Sequence, residues 1–296
     1  QCAVGIDLGT TFSVAAYLDS TGRPLTLINA EGDTLTPSVV LLEDYEVVVG
    51  KEAVKAMGSE MERIADCSKR DVGQRMFHKA LGGRQYPPEA LGGWILNKLR
   101  MDTQKQLGAY HKVVITVPAY FDEVRRKATQ DAGYIAGFEV LDIINEPTAA
   151  AVAFGYHQGF LSETGAGAQR RNVLVYDLGG GTFDVTVMQI DGREFVALAT
   201  DGDVRLGGRD WDQRLLDCVA EEFVRKYGLD PREDPNVEGR LWRECEEAKR
   251  TLSARQRATL SCEYRGQTVR LEITREKFEE LTLDLLERTA FTTRQT

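Results

Sequence analysis

The sequence predicts an α/β protein made of two similar lobes, and two observations support this fold class. First, the run AVGIDLGTTFSV at residues 3–14 recurs at residues 174–185 as LVYDLGGGTFDV. Each copy reads as an apolar strand, a Gly/Thr turn and a second apolar strand, which predicts a β-hairpin with an aspartate near its tip. Second, mixed strand and helix patterns follow each copy. A segment rich in Gly, Ala and Arg at residues 162–171 is the expected crossing between the lobes.

The elements after each hairpin follow from periodicity. After the first copy, residues 113–117 predict a strand, and Asp122 with Glu123 opens a helix that carries small apolar residues at Val124, Ala128 and Ala132. After the second copy, helices are predicted from about residue 210 to 227, ending at Gly228, and around residues 241–253. Apolar residues then alternate on both sides of Arg265 and Gly266, which predicts a hairpin.

Composition excludes several classes of function. The 296 residues are 42% hydrophobic and 28% charged, with a net charge of −9, so a basic nucleic-acid-binding surface is not expected. The sequence has no apolar run long enough to span a bilayer and no signal-peptide core at its start, which predicts a cytoplasmic protein without a membrane partner. The five cysteines form no CxxC pair, so free thiols are expected rather than a zinc or redox site.

The two Gly/Thr turns suggest a phosphate-binding clamp. Backbone N–H groups of residues 9–11 and 179–182 can approach phosphate oxygens because glycine lacks the Cβ that would keep a ligand away. Asp7 and Asp177 would hold hydrated Mg²⁺, which prefers carboxylates, water and phosphate oxygens. A single copy is more simply a tight hairpin, whereas two matching copies favour the clamp. Neither a Walker motif nor GxGxxG occurs, so any nucleotide is bound by a different architecture.

Other polar patterns stay open on sequence grounds. On the helix near residue 241, Leu241, Cys245, Ala248 and Leu252 form an apolar stripe. The adjacent stripe consists of Glu246, Lys249, Arg250 and Ser253. By pattern alone that second stripe is more simply a solvated face with a Glu246–Arg250 pair one turn apart. The helix start at Glu146 and Pro147 and the pair Lys69-Arg70 are equally undecided.

Six motifs together resemble those of the 70-kDa heat-shock chaperones of the DnaK type. In the family's order and close to its spacing, the sequence carries GIDLGTTFS (5–13), VPAYF (117–121), IINEPTAAA (143–151), DLGGGTFDV (177–185), LGGRDWD (206–212) and EEAKRTLS (246–253). The resemblance covers residues 3 to about 290. It implies the actin-like, sugar-kinase-like ATPase fold, with lobe I at 1–168, an inserted and shortened subdomain at about 38–112, and an incomplete lobe II at 169–296.

The resemblance also implies a site that binds ATP or ADP with Mg²⁺, and it names K⁺ as a second candidate cation. Its phosphate-binding residues would be Gly9, Thr10, Thr11, Phe12, Gly179, Gly180, Gly181 and Thr182. Ribose and adenine would lie against Gly208, Glu246, Lys249, Arg250 and Ser253. The catalytic residues would be Lys69, Glu146, Asp177 and Thr182. Asp7 and Asp177 would bind Mg²⁺ through water, and Asp184 would shape the ion and water network.

The function that the resemblance implies is that of a chaperone ATPase. Hydrolysis would act as a slow timer that controls a peptide-binding domain outside this chain, which holds unfolded client proteins. A J-domain co-chaperone and a nucleotide exchange factor would be its partners, and the fragment itself would be monomeric. Pro118, Arg126 and Asp142 stand at positions that relay the nucleotide state.

Three departures from the family pattern stand out. The segment between Phe77 and Val113 is short. Arg209 replaces the usual acid in LGGRDWD, and Asp142 replaces an arginine. The chain also ends before the family's second adenine loop and the closing helix of the first lobe, so the fold is expected to be truncated. Three alternatives on the same fold stay open: a small-molecule kinase, an actin-like filament protein and an exchange-factor relative that does not hydrolyse ATP.

Overall fold

The computed structural model describes residues 3–159, 170–192 and 194–296. The crossing segment predicted at residues 162–171 therefore lies outside the described residues except for its last two, and so does Cys2. We call residues 3–159 the first half of the molecule and residues 170–296 the second half. The lobe boundaries predicted from the sequence stay a prediction.

Fourteen strands form four sheets within these described residues. In chain order they are β1 (Val4–Leu8), β2 (Phe12–Leu18), β3 (Pro24–Thr26), β4 (Thr36–Pro37), β5 (Val40–Leu42), β6 (Val47–Val49), β7 (Ile64–Ala65), β8 (Lys112–Val117), β9 (Glu139–Asn145), β10 (Arg171–Leu178), β11 (Phe183–Asp191), β12 (Glu194–Asp203), β13 (Arg257–Tyr264) and β14 (Gln267–Thr274).

Seven α-helices accompany these strands in the described part of the chain. They are α1 (Lys51–Lys55), α2 (Pro88–Leu107), α3 (Glu123–Ile135), α4 (Glu146–His157), α5 (Gly208–Tyr227), α6 (Pro235–Ala254) and α7 (Arg275–Gln295). Short 3₁₀ helices cover Ala56–Gly58, Met61–Arg63, Ser68–Asp71 and Pro231–Glu233. No described helix combines the length and the apolar character needed to cross a membrane.

Both predicted hairpins are confirmed. β1 pairs antiparallel with β2, and β10 pairs antiparallel with β11. In the first half, β8 and β9 extend the sheet beyond β1 as parallel strands, giving the order β3-β2-β1-β8-β9 with β4 on β2. In the second half, β12 adds antiparallel to β11 instead. The alternation of buried and exposed residues along β1 and β8 shows why these strands lie flat on a core, which α2 and α3 cover from one side.

A second core lies between α5, α6 and the hairpin β13–β14. The apolar stripe predicted on the helix near residue 241 is buried there, with each of its four members at most 5% exposed. The predicted turn of the hairpin is confirmed, because Arg265 and Gly266 both have positive φ angles, 49° and 74°. Positive φ at both turn residues matches the right-handed twist of the two strands that the turn joins.

Three sequence-based boundaries or faces differ in the structure. α6 begins at Pro235, six residues before the predicted start, because Asp234 caps its N-terminus through the N–H groups of Asn236 and Val237. α5 begins at Gly208 rather than residue 210. On α3, Ala128 and Ala132 are buried as predicted, but Val124 is 63% exposed, because it lies in the first turn and off the packed face.

Candidate functional site

The two Gly/Thr turns approach each other between the two halves of the molecule. A Cβ added to Gly180 would lie 1.7 Å from Thr11 Oγ1, and one added to Gly181 would lie 2.3 Å from Thr10 Cγ2. Within the first turn, a Cβ on Gly9 would lie 2.1 Å from the Phe12 carbonyl oxygen. These distances leave no space for a side chain, so glycine is the residue that lets the turns come together.

A group of carboxylates lies at the ends of the strands that lead into these turns. Asp7 accepts a hydrogen bond from Thr116 Oγ1 at 2.9 Å. Asp177 is paired in register with Asp184, which is 2% exposed and has one buried carboxylate oxygen without a hydrogen-bond partner in the described structure. Burial raises the pKa of Asp177, and the nearby charge of Asp7 raises it further.

Asp184 is the most perturbed of these acids. Burial, followed by repulsion from Glu146 and Asp177, raises its pKa to about 7. An unpaired buried acceptor among like charges is a position where a cation or ordered water is stabilising. Within the described residues, no three acidic, His or Cys side chains converge closely enough to bind a metal by themselves. The unpaired Asp184 oxygen and its neighbour Asp177 are the kind of ligands that fit a hydrated Mg²⁺, which binds carboxylates while keeping several of its own waters.

Lys69 and Glu146 form an ion pair beside these acids. The Lys69 Nζ atom donates to Glu146 Oε1 at 2.5 Å, and the two side chains are only 9% and 13% exposed. Burial alone would lower the pKa of Lys69, but Glu146 and Asp7 raise it above its usual value, so the ammonium stays charged. Burial raises the pKa of Glu146, an effect that Lys69 opposes and the aspartates reinforce.

The local backbone structure positions the side chains of Lys69 and Glu146. Lys69 lies on the 3₁₀ helix Ser68–Asp71, which follows Cys67 in a left-handed conformation with a φ of 52°. Glu146 is the first residue of α4, and Pro147 follows it in the first turn, as the sequence predicts. Both Lys69 and Arg70 are largely buried rather than exposed on the surface, and Arg70 pairs with Asp210 of the second half.

A cleft of about 960 Å³ opens from the two turns toward α6. It is lined by both halves of the molecule and is large enough for a nucleotide. Gly208, Glu246, Lys249 and Arg250 contribute to its wall. The second stripe of α6 is thus mainly a cleft wall, and the predicted Glu246–Arg250 pair forms within it at 2.7 Å.

The wall residues also contact one another. Lys249 Nζ lies 2.7 Å from Asp212 Oδ1 and donates to the Gly208 carbonyl oxygen at 2.9 Å. The Arg250 guanidinium lies 5.9 Å from the centre of the Phe12 ring on the other side of the cleft. Ser253 is exposed and donates to the Lys249 carbonyl oxygen at 3.3 Å, and it does not line the cleft.

The predicted relay residues lie apart from the acids. Arg126 donates to the Phe121 and Ala119 carbonyl oxygens and to Asn145 Oδ1, at 2.9, 3.2 and 2.7 Å. These bonds join the start of α3 to the end of β9. Pro118 is buried, and Asp142 is exposed on β9 with its carboxylate bonded to the Ile143 N–H at 2.8 Å.

Two further contacts across the cleft were not predicted from the sequence. Arg70 pairs with Asp210 at 2.6 Å and donates to the Gly181 carbonyl oxygen at 2.9 Å. Arg209 pairs with Asp66 and stacks on the Trp242 ring. The sequence contained one signal for the second contact, the unusual arginine in LGGRDWD, but the partners are too distant along the chain to be read from a local pattern.

Tyr120 is also part of this region, although it was quoted only within the VPAYF motif. Its hydroxyl is buried, and burial together with the charge of Asp184 raises the pKa of Tyr120. The Tyr120 ring occupies the space that a Cβ on Gly202 would fill, at 2.6 Å. The tyrosine thus fixes the position of β12 next to the acids.

Fold and site together define an α/β protein with two hairpin-based halves that face each other across a cleft of glycine turns and carboxylates. The sequence profile of the Hsp70 protein family matches residues 3–296. The chaperone protein DnaK of Thermotoga neapolitana is 44% identical over 298 residues, which are 98% of this chain and 48% of that protein.

Two further relatives agree. The chaperone protein DnaK of Halobacterium salinarum is 42% identical over 299 residues, 99% of this chain and 46% of that protein. That of Thermosipho africanus is 42% identical over 297 residues, 98% of this chain and 48% of that protein. The chain therefore belongs to the Hsp70 family, and it spans about half the length of the curated relatives it matches. The predicted actin-like fold is confirmed, and neither a small-molecule kinase nor an exchange-factor relative is favoured.

Proposed function

We propose that this chain binds ATP with Mg²⁺ and hydrolyses it to ADP and phosphate, as the nucleotide-binding part of a protein-folding chaperone. The observation that carries the proposal is the gathering of Lys69, Glu146 and the carboxylates of Asp7, Asp177 and Asp184 beside two glycine turns that meet across a cleft. Membership of the Hsp70 family supports it, since that family binds ATP or ADP with Mg²⁺ in general.

Each half of the cleft has a part in holding the phosphates. N–H groups of Gly9, Thr10, Thr11 and Phe12 on one side, and of Gly179, Gly180, Gly181 and Thr182 on the other, would donate to phosphate oxygens. Asp7 and Asp177 would hold Mg²⁺ through water. When bound, Mg²⁺ supplies charge neutralisation of the phosphates. Asp184, with its unpaired buried oxygen, would accept hydrogen bonds from the surrounding water, and K⁺ is a second candidate cation there.

Hydrolysis needs positioning and charge more than covalent chemistry. A water oxygen attacks the γ-phosphorus, the bond from that phosphorus to the bridging β-oxygen breaks, and ADP leaves with the bridging oxygen. Lys69 would lower the negative charge on the γ-phosphoryl oxygens. Glu146, held by Lys69, would accept a hydrogen bond from the attacking water, whose proton ends on phosphate or solvent. Thr182, buried at the second turn, would orient the same water.

The nucleoside would lie along α6. Gly208, Glu246, Lys249 and Arg250 line the cleft beyond the phosphate turns, where ribose and adenine have room. The role of Ser253 in nucleotide binding stays a prediction, because this residue is exposed and lies one helical turn beyond Lys249 on α6.

The role of the whole chaperone is proposed on the basis of the relatives. The nucleotide state would control a peptide-binding domain that holds unfolded client proteins, with a J-domain co-chaperone and a nucleotide exchange factor as partners. Pro118, Arg126 and Asp142 would pass on that state. A cytoplasmic location and a monomeric fragment stay predictions, and the free thiols Cys67, Cys218, Cys245 and Cys262 are in keeping with a reducing compartment.

Single-turnover hydrolysis of γ-labelled ATP, with and without Mg²⁺ and a J-domain protein, tests the proposal. We expect slow, Mg²⁺-dependent release of phosphate that the J-domain protein accelerates. Phosphate transfer that requires a small acceptor would instead indicate a kinase. Tight nucleotide binding without hydrolysis would indicate an exchange-factor relative, and ATP-dependent sedimentation of polymers would indicate a filament protein. Any of these three outcomes would overturn the proposed function.

A further inference from the structure

Arg209 connects the two halves of the molecule from the start of α5. Its guanidinium pairs with the carboxylate of Asp66 in the first half and lies 3.5 Å from the centre of the Trp242 ring on α6. The side chains of Arg209 and Asp66 are 22% and 10% exposed. The ion pair and the stack are thus largely withdrawn from water, where both interactions are stronger than at an exposed surface.

The next residue, Asp210, forms a second ion pair between the halves, and here the acidic partner is the one on α5. Asp210 pairs with Arg70, which lies four residues after Asp66. Two consecutive residues of α5, one basic and one acidic, therefore bind an acidic and a basic residue of one segment in the first half. Parting the halves along this line requires both ion pairs to break.

A second line of contacts runs along α6. Arg240 Nη1 donates to the Gly58 carbonyl oxygen at 2.9 Å, and the Met61 N–H donates to Asn236 Oδ1 at 3.0 Å. A Cβ on Gly239 would lie 2.0 Å from the Met57 carbonyl oxygen, so the two backbones touch. Because Arg209 packs on Trp242 of α6, it ties this line of contacts to the ion pairs of α5.

We propose that Arg209, Asp66 and Trp242 form an interlobe lock that sets how long a nucleotide stays in the cleft. The inference rests on the proposed function, since it assumes a nucleotide between the halves. A ligand held from both sides leaves when the halves part, and contacts that break during parting act mainly on the dissociation rate. An acid at position 209 would be repelled by Asp66, so the ion pair depends on the arginine that this chain carries there.

The test compares two arginines of α5. Arg209→Met removes the charge but keeps an aliphatic chain against Trp242. Arg214→Met is the matched control, because Arg214 pairs with Asp284 at an exposed site within the second half. We expect Arg209→Met to release a fluorescently labelled ADP at least about fivefold faster in stopped-flow measurements, because it leaves Asp66 buried without its partner. The control should match the wild type.

Two more variants separate the lock from a general loss of stability. Asp66→Asn leaves the Arg209–Trp242 stack in place and should also speed release. The swap Asp66→Arg with Arg209→Asp restores the ion pair but not the stack on Trp242, and it should restore part of the slow release. Equal dissociation rates for Arg209→Met, Asp66→Asn and Arg214→Met, all folded by circular dichroism, would overturn the lock.

A readout without nucleotide keeps the lock and the proposed function distinguishable. Amide hydrogen exchange of the nucleotide-free protein should become faster at residues 56–63 and 235–242 in Arg209→Met and not in Arg214→Met. If the wild type binds no labelled ADP, the proposed function fails, while this exchange pattern still tests the lock. Unchanged exchange at both segments in Arg209→Met would count against the lock whatever the nucleotide measurements give.

Discussion

The ammonium nitrogen of Lys69 lies 2.5 Å from a carboxylate oxygen of Glu146, although 77 residues separate them in the chain. Neither the Lys69 ammonium nor the Glu146 carboxylate has much access to water, so each charge is stabilised mainly by the other. A mobile surface lysine would have to be ordered before it could assist a reaction. Here the pair is already fixed beside Asp7, whose charge helps to keep Lys69 protonated. The arrangement presents a fixed positive charge and a hydrogen-bond acceptor together, as transfer of a phosphoryl group to water requires.

Lys69→Met should reduce the rate of ATP hydrolysis. We expect a loss of about 10²–10³-fold, or about 3–4 kcal/mol, the scale for removing one preorganised electrostatic donor. Nucleotide affinity, measured by calorimetry, should change much less, because the lysine acts mainly on the transition state. Lys55→Met removes an exposed lysine paired with Glu52 and serves as the control. Near-normal single-turnover hydrolysis in Lys69→Met would remove Lys69 from the catalytic residues.

The same substitution should also destabilise the ligand-free protein. It leaves Glu146 buried without its counterion, and breaking a buried pair in this way costs about 3–5 kcal/mol. Adding Glu146→Gln in the Lys69→Met background removes the unpaired charge and should recover part of that free energy of unfolding. Urea unfolding of the two variants measures the difference. A double variant no more stable than Lys69→Met would show that the two residues act independently.

Stability without Mg²⁺ should fall as the pH rises. The pKa of Asp184 is raised to about 7 in the folded protein, so the native state binds this proton more tightly than the unfolded chain does. The stabilising effect of the protonated carboxyl is complete below the unfolded value near 4 and is lost as the pH rises to about 7, at up to about 1.4 kcal/mol per unit. We therefore expect a lower Tm at pH 8 than at pH 5.

Asp184→Asn should make this fall shallower, and Mg²⁺ should do the same in the wild type by favouring the carboxylate. Asp19→Asn is the control, because hydrogen bonds from Thr21 hold the pKa of Asp19 below its usual range, so it cannot cause a fall of this sign. Thermal unfolding at several pH values measures the slopes. Equal slopes for the wild type and Asp184→Asn would contradict the assignment.

Gly180→Ala should force the two phosphate turns apart. Its new methyl group would overlap Thr11 Oγ1 at 1.7 Å and crowd Thr11 Cβ at 2.8 Å. We expect nucleotide affinity to drop at least about tenfold, or about 1.4 kcal/mol. Gly179→Ala is the matched control in the same turn, because its nearest contact, the Thr182 carbonyl oxygen, is 3.4 Å away. Calorimetric titration with ADP that gives equal affinities for the two variants would refute the close approach of the turns.

Asp142→Arg should strengthen communication with an acidic interdomain linker, which the resemblance to the 70-kDa chaperones implies beside Arg126 and Asp142. Asp142 is exposed and Arg126 is partly exposed, so such a linker would meet one acidic and one basic side chain. Exposed charge pairs are worth roughly 0.2–1 kcal/mol each, and reversing one changes docking by about twice that. ATP turnover with the linker in cis, at two salt concentrations, measures the effect. Strong stimulation in the wild type that Asp142→Arg reduces would indicate a compensating basic linker instead.

Local sequence patterns predicted both repeated hairpins and three of the seven described helices, α3, α5 and α6. Strands and helices follow from local alternation and capping, which act over a few residues. The apolar stripe of α6, for example, is buried as its spacing predicts. The family resemblance predicted catalytic roles for Lys69 and Glu146, which stay a prediction, and the structure shows that the two side chains form an ion pair. Even so, the start of α6 was missed, because Asp234 and Pro235 precede the apolar stripe.

Which distant residues meet is set by tertiary packing. Arg209 and Asp66 are 143 residues apart, and no periodicity links them. Whether a charged stripe on α6 faces water or a cleft depends on what packs opposite it, and the first half of the molecule supplies that surface. The pKa of Asp184 likewise arises from burial and from neighbours on other elements. Local patterns fix conformation within an element, whereas burial and the meeting of charges are set when the elements pack.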